Sequence, residues 1–442
     1  MSVFKAYDIR GIYGKEFDAK TVYKIGYFLK DLFDAKEIAV CCDCRVSSEE
    51  IYENLKKGIL DSGTDVCFYG LTTTPMSYYI SQSKGYKTTV MITASHNPKE
   101  YNGLKISGPQ ATPVGKDGGL EKLEEWVLSK EVVPCAKKGE EVKADIKDEY
   151  IKFIKKKLKG ISNLNISVDC SSGMASIIAR DFFGKKANII LDEFDGEFKA
   201  HSPNPLEDKS REMIVSEVIK NKSDVGIIFD GDADRVMFID NKGRFVSPDL
   251  MINVLAYALI DNPGEKVVCD IRSSKSCSDY IKLLGGEPYI WKVGHVFAKR
   301  KIKELDAIYG GELAGHYYFK EFGCCDNAFL ACAHILNTLS EWKKDNIYLA
   351  DFIDEFSSWV SSGELNFKIE DKEAAIEKVK NHFSKENYIK FYDFDGIRYD
   401  FDDWWFNLRM SNTEPYLRLV AEAKNKDLLE ENINIIKSIF TK

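Results

Sequence analysis

The amino-acid sequence predicts an α/β protein: three similar α/β domains with mixed, largely parallel sheets, followed by a C-terminal α+β domain. Three observations carry this. The length, 442 residues, corresponds to about three domains at ~150 residues each. Apolar, β-branched runs alternate with helical patterns, as in chains that build parallel sheets with crossover helices. And three segments share one layout: "EIAVCCDCRVSSEEI" from Glu37, "NISVDCSSGMASII" from Asn165 and "KVVCDIRSSKSCSDYI" from Lys266. Each reads as an apolar strand, a corner of Cys and Asp, and Ser or Arg residues opening a helix. The serines are expected as N-caps. The spacing, about one small domain, points to a triplicated unit.

The first domain is expected over residues 1–145. The charged stretch from Ser129 to Tyr150 and the Lys-rich helical pattern "DEYIKFIKKKLKG" mark its end. The second, 146–246, closes after "VMFIDNKGRFV", which reads as strand, Gly turn and strand. The third, 247–361, opens with "LMINVLAYALI" (Leu250 to Ile260), too short to cross a bilayer and read as a buried helix. It ends near "SSGEL" (Ser361 to Leu365). The fourth, 362–442, holds a helix ("KEAAIEKVKNHF"), two strand-like stretches and a closing helix ("NKDLLEENINIIKSIF"). The aromatic run "DFDDWWFNL" inside it reads as core.

Hydrophobic residues make up 44% and charged residues 30%, as in a soluble globular protein. The net charge of −8 argues against nucleic acid as a partner, while leaving room for a local basic pocket. "MSVFKAYDIRG" has no apolar core of the kind a secretory signal carries. Eleven cysteines without an export signal lead us to expect reduced thiols and a cytoplasmic protein. "CCDC" (Cys41 to Cys44) contains a C-x-x-C, but no second pair follows at zinc-site spacing, so buried core cysteines are expected there.

Four loops carry candidate chemistry. "KTTVMITASHNP" is a strand running into a turn, with Ser95 beside His96. Successive side chains of extended backbone point opposite ways, so His96 is not expected to reach the Ser95 hydroxyl. With no G-x-S-x-G elbow either, a hydrolase dyad is disfavoured. "DVGIIFDGDADRVMFID" places Asp230, Asp232 and Asp234 between two apolar strands. Their i, i+2, i+4 spacing lets three carboxylates converge if the loop is extended. Such a set repels itself unless a cation neutralises it, and all-oxygen ligation suits Mg²⁺. An EF-hand fails, because Arg235 stands where Gly is needed and Asn241 where Glu is needed. "YGGELAGHYYF" sets Glu312 and His316 among glycines, a loop able to meet sugar hydroxyls. "LRMSNTEPYLRL" offers Arg409, Ser411, Asn412 and Thr413, a cradle for a phosphate dianion.

These loops, with "FKAYDIRG" and "KVGH", run from end to end of the chain in an order that resembles the α-D-phosphohexomutases, and within them the phosphomannomutase/phosphoglucomutase group. The resemblance implies four domains around a central cleft and a hexose phosphate mutase working through a hexose 1,6-bisphosphate. It implies that Ser95 is the phosphorylated serine and, with Asp230, Asp232 and Asp234, supplies the Mg²⁺ site. It places Arg10, Lys105, His96 and Arg235 at the reaction centre, with Lys105 or Arg10 as proton carrier. Tyr7, Lys275, His295, Glu312, His316, Arg409, Ser411, Asn412 and Thr413 become substrate-binding residues. Sugar phosphates are the implied partners, with no membrane role, and a monomer or weak homodimer is expected.

Two departures stand out. Ala314 replaces the serine usual in the sugar loop. Val420 stands where some relatives carry an arginine, and Arg418 is expected on the other face of its strand. The rivals are a phosphoglucosamine mutase, disfavoured by His295 in "KVGH"; an idle sugar-phosphate binding protein, disfavoured by the intact serine and aspartates; and a phosphatase.

Overall fold

The computed structural model describes residues 2–410 and 416–441. The chain divides into two compact units, residues 1–247 with 314–350 and residues 248–313 with 351–442.

The first unit begins with β1 (Ile9–Ile12), α1 (Ala19–Phe33), β2 (Glu37–Cys42), α2 (Ser48–Asp61), β3 (Asp65–Leu71), α3 (Thr74–Lys84), β4 (Thr89–Ile92), β5 (Tyr101–Gly108), β6 (Thr112–Pro113), α4 (Leu120–Ser129) and β7 (Glu141–Lys143). The sheet order is β1-β5-β4-β2-β3-β7, with β6 beside β5. β2 runs parallel to β3 and β4, and β5 is antiparallel to β4 and β1. Helix α1 starts where Asp18 accepts from the Thr21 N–H, and its Val22, Ile25, Phe28 and Leu29 are buried along one face. It lies against α2 at two glycines. A Cβ on Gly26 would fall 2.2 Å from the Leu55 carbonyl oxygen, and one on Gly58 2.0 Å from that of Tyr23, so these helices meet backbone to backbone.

The chain continues with α5 (Lys147–Lys155), β8 (Ile166–Asp169), α6 (Ala179–Phe183), β9 (Asn188–Ile190), α7 (Asp208–Asn221), β10 (Val225–Phe229), β11 (Val236–Asp240) and β12 (Phe245–Val246), in the sheet order β12-β11-β10-β8-β9. β8 is parallel to β9 and β10, and β10, β11 and β12 are successively antiparallel. Gly243, at φ 79°, turns β11 into β12, the strand, Gly turn and strand read from the sequence.

The second unit opens with α8 (Leu250–Leu259), β13 (Lys266–Asp270), α9 (Lys275–Leu283), β14 (Glu287–Trp291), α10 (His295–Leu305) and β15 (Tyr309–Gly311), β13 being parallel to both other strands. Residues of the first unit follow: the antiparallel pair β16 (Tyr317–Phe319) and β17 (Cys325–Asp326), then α11 (Ala328–Trp342). After α12 (Leu349–Phe356) the second unit closes with β18 (Val360–Lys368), α13 (Lys372–Phe383), β19 (Lys390–Tyr392), β20 (Ile397–Asp400), β21 (Trp404–Met410), β22 (Tyr416–Ala423) and α14 (Lys426–Thr441). This sheet, β18-β22-β21-β20-β19, is antiparallel throughout. Val379 and Phe383 of α13 and Ile436 of α14 share its core with Phe406 and Leu419. Five strands replace the two stretches legible in the sequence. β18 is a largely exposed edge strand, so it lacks the apolar alternation that reveals a strand.

The triplication is therefore structural. β3-β2-β4, β9-β8-β10 and β14-β13-β15 are one three-strand parallel core built three times. Each central strand leads into a buried aspartate that accepts the N–H two residues on: Asp43 from Arg45 at 3.0 Å, Asp169 from Ser171 at 2.7 Å and Asp270 from Arg272 at 2.6 Å. The serine caps hold only in part. Ser274 caps α9 through the Ser276 N–H. Ser47 makes no side-chain bond to the N-terminus of α2 and accepts instead from Asn102 at 2.9 Å. After β8 a short 3₁₀ turn, Met174–Ile177, stands where a helix was expected. Cys41 and Cys42 are buried in β2, and burial pushes the Cys41 thiol up to about 12. No helix among the described residues is long and apolar enough to cross a membrane.

Candidate active site

β4 and β5 deliver the Ser95 loop. Ser95 is 2% exposed and takes a left-handed conformation, φ 51°, with its N–H donating to Thr93 Oγ1 at 2.9 Å. That turn breaks the alternation of extended backbone. His96 Nδ1 comes within 3.4 Å of Ser95 Oγ, which overturns the expectation that the two side chains point apart.

The β10–β11 turn brings the carboxylates. Asp230, Asp232 and Asp234 are each buried and place one oxygen apiece within 4.8 Å of the others. The loop is not extended as the sequence reading required. Ala233, at φ 57°, folds it back, and the turn itself makes the three converge. Ser95 Oγ donates to Asp230 Oδ2 at 2.8 Å. The two loops touch closely, since a Cβ on Gly231 would fall 2.6 Å from the Ser95 carbonyl oxygen. Lys105 Nζ, from β5, donates to Asp232 Oδ2 at 2.8 Å and to Asp234 Oδ2 at 2.5 Å. Thr74, at the start of α3, donates to Asp232 Oδ2 at 2.6 Å.

Asp232 Oδ1 and Asp234 Oδ1 are buried and have no hydrogen-bond partner. Buried carboxylate oxygens are rarely left so, and two unpartnered oxygens in a group of three clustered carboxylates are what a cation site needs. The donor set is all oxygen and fits Mg²⁺. Burial, then the charges of Asp234 and Asp232, pushes the Asp230 carboxyl well above the usual carboxylate range. Burial opposes charge on Asp232 and Asp234 too, but Lys105 beside them holds both below that range. Burial likewise disfavours the Lys105 ammonium, and the two aspartates overcome it and raise its pKa.

Positive groups ring this cluster. Arg10, on β1, donates to Asn97 Oδ1 at 2.8 Å and pairs with Asp8 at 2.5 Å; its Nε is buried without a partner. The Arg235 N–H donates to Asp230 Oδ1 at 3.2 Å, and Arg235 Nε donates to His316 Nε2 at 2.9 Å. His316 Nδ1 lies 2.6 Å from Asp326 Oδ2 and 3.9 Å from Asp234 Oδ1. Burial, then the charges of Arg235 and Arg10, holds the His96 imidazole well below its ordinary pKa. Tyr7 is half-buried, next to Asp8. His316, read as half of a sugar loop with Glu312, is instead built into the aspartate site of the first unit.

In the second unit Glu312 is 3% exposed and accepts from the Gly294 N–H at 2.9 Å, which joins "KVGH" to the Glu312 loop. His295 is the first residue of α10. The Val293 N–H donates to Asp395 Oδ2 at 2.8 Å, and Asp395 Oδ1 lies 3.9 Å from Arg409 Nη1. Arg272 and Arg418 both pair with Glu364, at 3.8 and 3.3 Å. Leu417, Leu419 and Ala421 face the helices, while Val420 packs with Trp359 and Trp405. Arg418 therefore shares the Val420 face, contrary to expectation, because residues two apart in a strand point the same way. Lys275 is not brought to Glu312. It pairs with Asp279, one turn along α9, at 3.2 Å. Ser411, Asn412 and Thr413 lie outside the described residues.

Sequence reasoning missed Arg45, Thr74, Asn97, Asp326 and Arg272. Arg45 and Arg272 had a signal. Each stands two residues after the corner aspartate of a repeated segment, where it was read only as opening a helix.

The chain matches four family descriptions in succession. They are "Phosphoglucomutase/phosphomannomutase, alpha/beta/alpha domain I" at residues 1–131, the corresponding domain II at 148–243, domain III at 247–356, and the C-terminal domain at 364–434. It is 35% identical to a phosphomannomutase of Methanocaldococcus jannaschii, over 100% of this chain and 98% of that protein. It is 34% identical to a phosphomannomutase of Escherichia coli, over 96% of this chain and 95% of the relative. A phosphomannomutase/phosphoglucomutase of Pseudomonas aeruginosa is 32% identical, over 99% and 94%. The crystal structure of a phosphoglucomutase/phosphomannomutase family protein from Burkholderia thailandensis superimposes with a TM-score of 0.87 at 26% identity, covering 99% of this chain and 96% of the other. With matches to all four domains and full-length relatives above 30% identity, the chain belongs to the phosphoglucomutase/phosphomannomutase family.

Proposed function

We propose that the protein interconverts hexose 1-phosphates and hexose 6-phosphates, of mannose, glucose or both, through phosphorylated Ser95 and a hexose 1,6-bisphosphate. The observation that carries this reading is the 2.8 Å bond from Ser95 Oγ to Asp230, within a buried group of three carboxylates that retains two unpartnered oxygens. A hydroxyl so placed is fit to carry a phosphoryl group beside a cation.

Asp230, Asp232 and Asp234, with an oxygen of phosphorylated Ser95, would hold Mg²⁺. When bound, it neutralises charge on the transferring group. The bond from Ser95 Oγ to phosphorus breaks as a sugar hydroxyl oxygen bonds to phosphorus, and the hydroxyl proton passes to the protein. The second transfer runs in reverse from the other end of the bisphosphate. Lys105, held protonated by two aspartates, and Arg10 and Arg235 supply fixed positive charge. A raised pKa makes Lys105 a poor proton acceptor. That role passes to His96, because His316 Nε2 is already taken by Arg235 Nε. Arg409, with Arg418 and Arg272 around Glu364 and with Ser411, Asn412 and Thr413, would grip the phosphate that is not transferring. Glu312, His295 and Tyr7 would contact the sugar. Lys275 would join them only by leaving Asp279.

The test is ³¹P NMR of mannose 1-phosphate, and separately glucose 1-phosphate, with the protein, Mg²⁺ and a trace of glucose 1,6-bisphosphate. Growth of the 6-phosphate signal, absent with Ser95→Ala and with EDTA, supports the proposal, and the two rates rank the sugars. Release of inorganic phosphate instead would mean a phosphatase.

A further inference from the structure

Arg45 is a buried cation of the first unit that binds four backbone carbonyls, and the reaction as proposed does not use it. Its Nη2 donates to the carbonyl oxygens of Ser95 at 2.8 Å and Asn97 at 2.6 Å. Its Nη1 donates to those of Pro98 at 2.8 Å and Tyr101 at 3.1 Å. Four carbonyls of one loop thus turn onto one guanidinium. Asp43 Oδ2 lies 3.2 Å from Arg45 Nε, and the Phe198 ring centroid is 5.0 Å from the guanidinium carbon. Arg45 is 2% exposed and Asp43 is 2% exposed.

We propose that Arg45 is a positioning residue for Ser95: its guanidinium sets the direction of the Ser95 hydroxyl by gathering the carbonyl of Ser95 itself and three that follow it in the loop. The proposal rests on the reading of Ser95 as the phosphoryl-carrying residue. A guanidinium only donates, and it donates in a rigid planar fork. Once the oxygens of Ser95, Asn97, Pro98 and Tyr101 are committed to that fork, the peptide planes of the loop are fixed. Ser95 is then held in its left-handed conformation, which a non-glycine residue keeps only when its surroundings over-determine it. Oγ is left facing Asp230. Asp43 stands beside the fork as its counter-charge, and its other oxygen accepts from the Arg45 N–H and from Ser48 Oγ at 2.6 Å. A lysine offers a point charge in place of the fork and cannot hold four carbonyls in one plane.

The experiment uses the full chain with Mg²⁺ and glucose 1,6-bisphosphate, and compares wild type with Arg45→Lys and Asp43→Asn. It reads kcat and KM for the sugar phosphate, and amide hydrogen exchange across residues 94–103. Arg45→Lys is expected to lower kcat about 100-fold, the cost of misplacing a reacting group by about an ångström. KM should stay within about threefold, because Arg45 touches no substrate group. Exchange in 94–103 should quicken at least about tenfold while β2 and α1 keep their protection. Asp43→Asn, in which Arg45 keeps its carbonyls but loses its counter-charge, should lose about tenfold in kcat at unchanged KM. It decides the matter if Arg45→Lys does not fold. An unchanged kcat in a folded Arg45→Lys overturns the proposal, as does faster loop exchange without loss of kcat, or a loss seen only in KM. If wild type itself forms no 6-phosphate, the mutase reading has failed. The exchange then decides alone whether Arg45 fixes the loop: equal exchange in wild type and Arg45→Lys rejects that.

Discussion

Arg235 donates through Nε to Nε2 of His316, 2.9 Å away. A ring nitrogen that accepts carries no proton, so a neutral His316 ring keeps its proton on Nδ1, whose charged neighbour is Asp326 Oδ2 at 2.6 Å. The Arg235 bond thereby sets the tautomer, and Arg235 is held beside Asp230. Asp326→Asn fills the same space but removes the charge that favours a proton on Nδ1. It should cut kcat by about 100-fold, the cost of misplacing Arg235 at the reaction centre. ¹⁵N NMR of labelled histidine should show the Nδ1–H form in wild type and a mixture in the variant. A pure Nε2–H form in wild type would contradict the arrangement.

The three aspartates make metal binding pH-dependent. Asp230 is pushed up by burial and by Asp234 and Asp232, so a cation must compete with protons for it. Mg²⁺ affinity should therefore rise with pH. Calorimetry in buffers of different ionisation heat should record proton release on binding. Lys105 already supplies positive charge to Asp232 and Asp234. Lys105→Met should tighten Mg²⁺ about tenfold while lowering kcat more than about 100-fold. Weaker metal binding in that variant would show that the ammonium does not oppose the cation.

His201 bridges Asp169 Oδ2, 3.1 Å from its Nε2, and the Ser202 carbonyl oxygen, 2.8 Å from its Nδ1. Both partners accept, so the site satisfies both ring nitrogens only when the ring is protonated. Burial opposes that charge, but the bond and charge of Asp169 win and the pKa is raised. The stabilisation is present below the unfolded value of about 6.5 and is lost as pH rises through the higher folded value. Urea unfolding should find wild type about 1–3 kcal/mol more stable than His201→Gln at pH 6, with the gap closing by pH 9. A gap that widens with pH would reverse the assignment.

Glu422 behaves oppositely in sign of charge. Its Oε2 accepts from Ser274 Oγ and Trp405 Nε1, each at 2.8 Å. Burial, then the charge of Asp249, pushes it up to about 7. A carboxyl that binds its proton more tightly when folded costs stability as pH climbs from about 4.3 to about 7. Glu422→Gln keeps an acceptor and sheds the charge. Its melting temperature should match wild type near pH 5 and exceed it by a few degrees at pH 8.

Gly231→Ala tests the contact between the two loops. The added Cβ would fall 2.6 Å from the Ser95 carbonyl oxygen, so the loops must part. A fall in kcat of about 100-fold is expected with the rest of the fold intact. Full activity would mean that the serine loop moves freely.

Much of this was legible in the sequence because it depends on local pattern. Asp230, Asp232 and Asp234 are close in sequence and lie between two apolar strands, and Ser95 and Lys105 belong to the loop and the second strand of one hairpin. What escaped depends on backbone turns and on long-range partners. The left-handed turn at Ser95 cannot be read from residue types, and it alone lets His96 approach the hydroxyl. Arg45 reaches Ser95 across 50 positions, and Asp326 reaches His316 from the next strand. The edge strand β18 shows no apolar alternation because neither of its faces is fully buried.

The left-handed backbone at Ser95 also bears on why an alcohol of this particular kind stands there. Threonine carries the same hydroxyl and forms the same phosphate ester. Its β-branch, however, crowds the main chain at positive φ, where branched side chains are outliers. Glycine, asparagine and aspartate fit the turn with less strain and have no hydroxyl to offer. Of the two aliphatic alcohols in the genetic code, the shape of the main chain admits serine and turns threonine away, before reactivity is consulted.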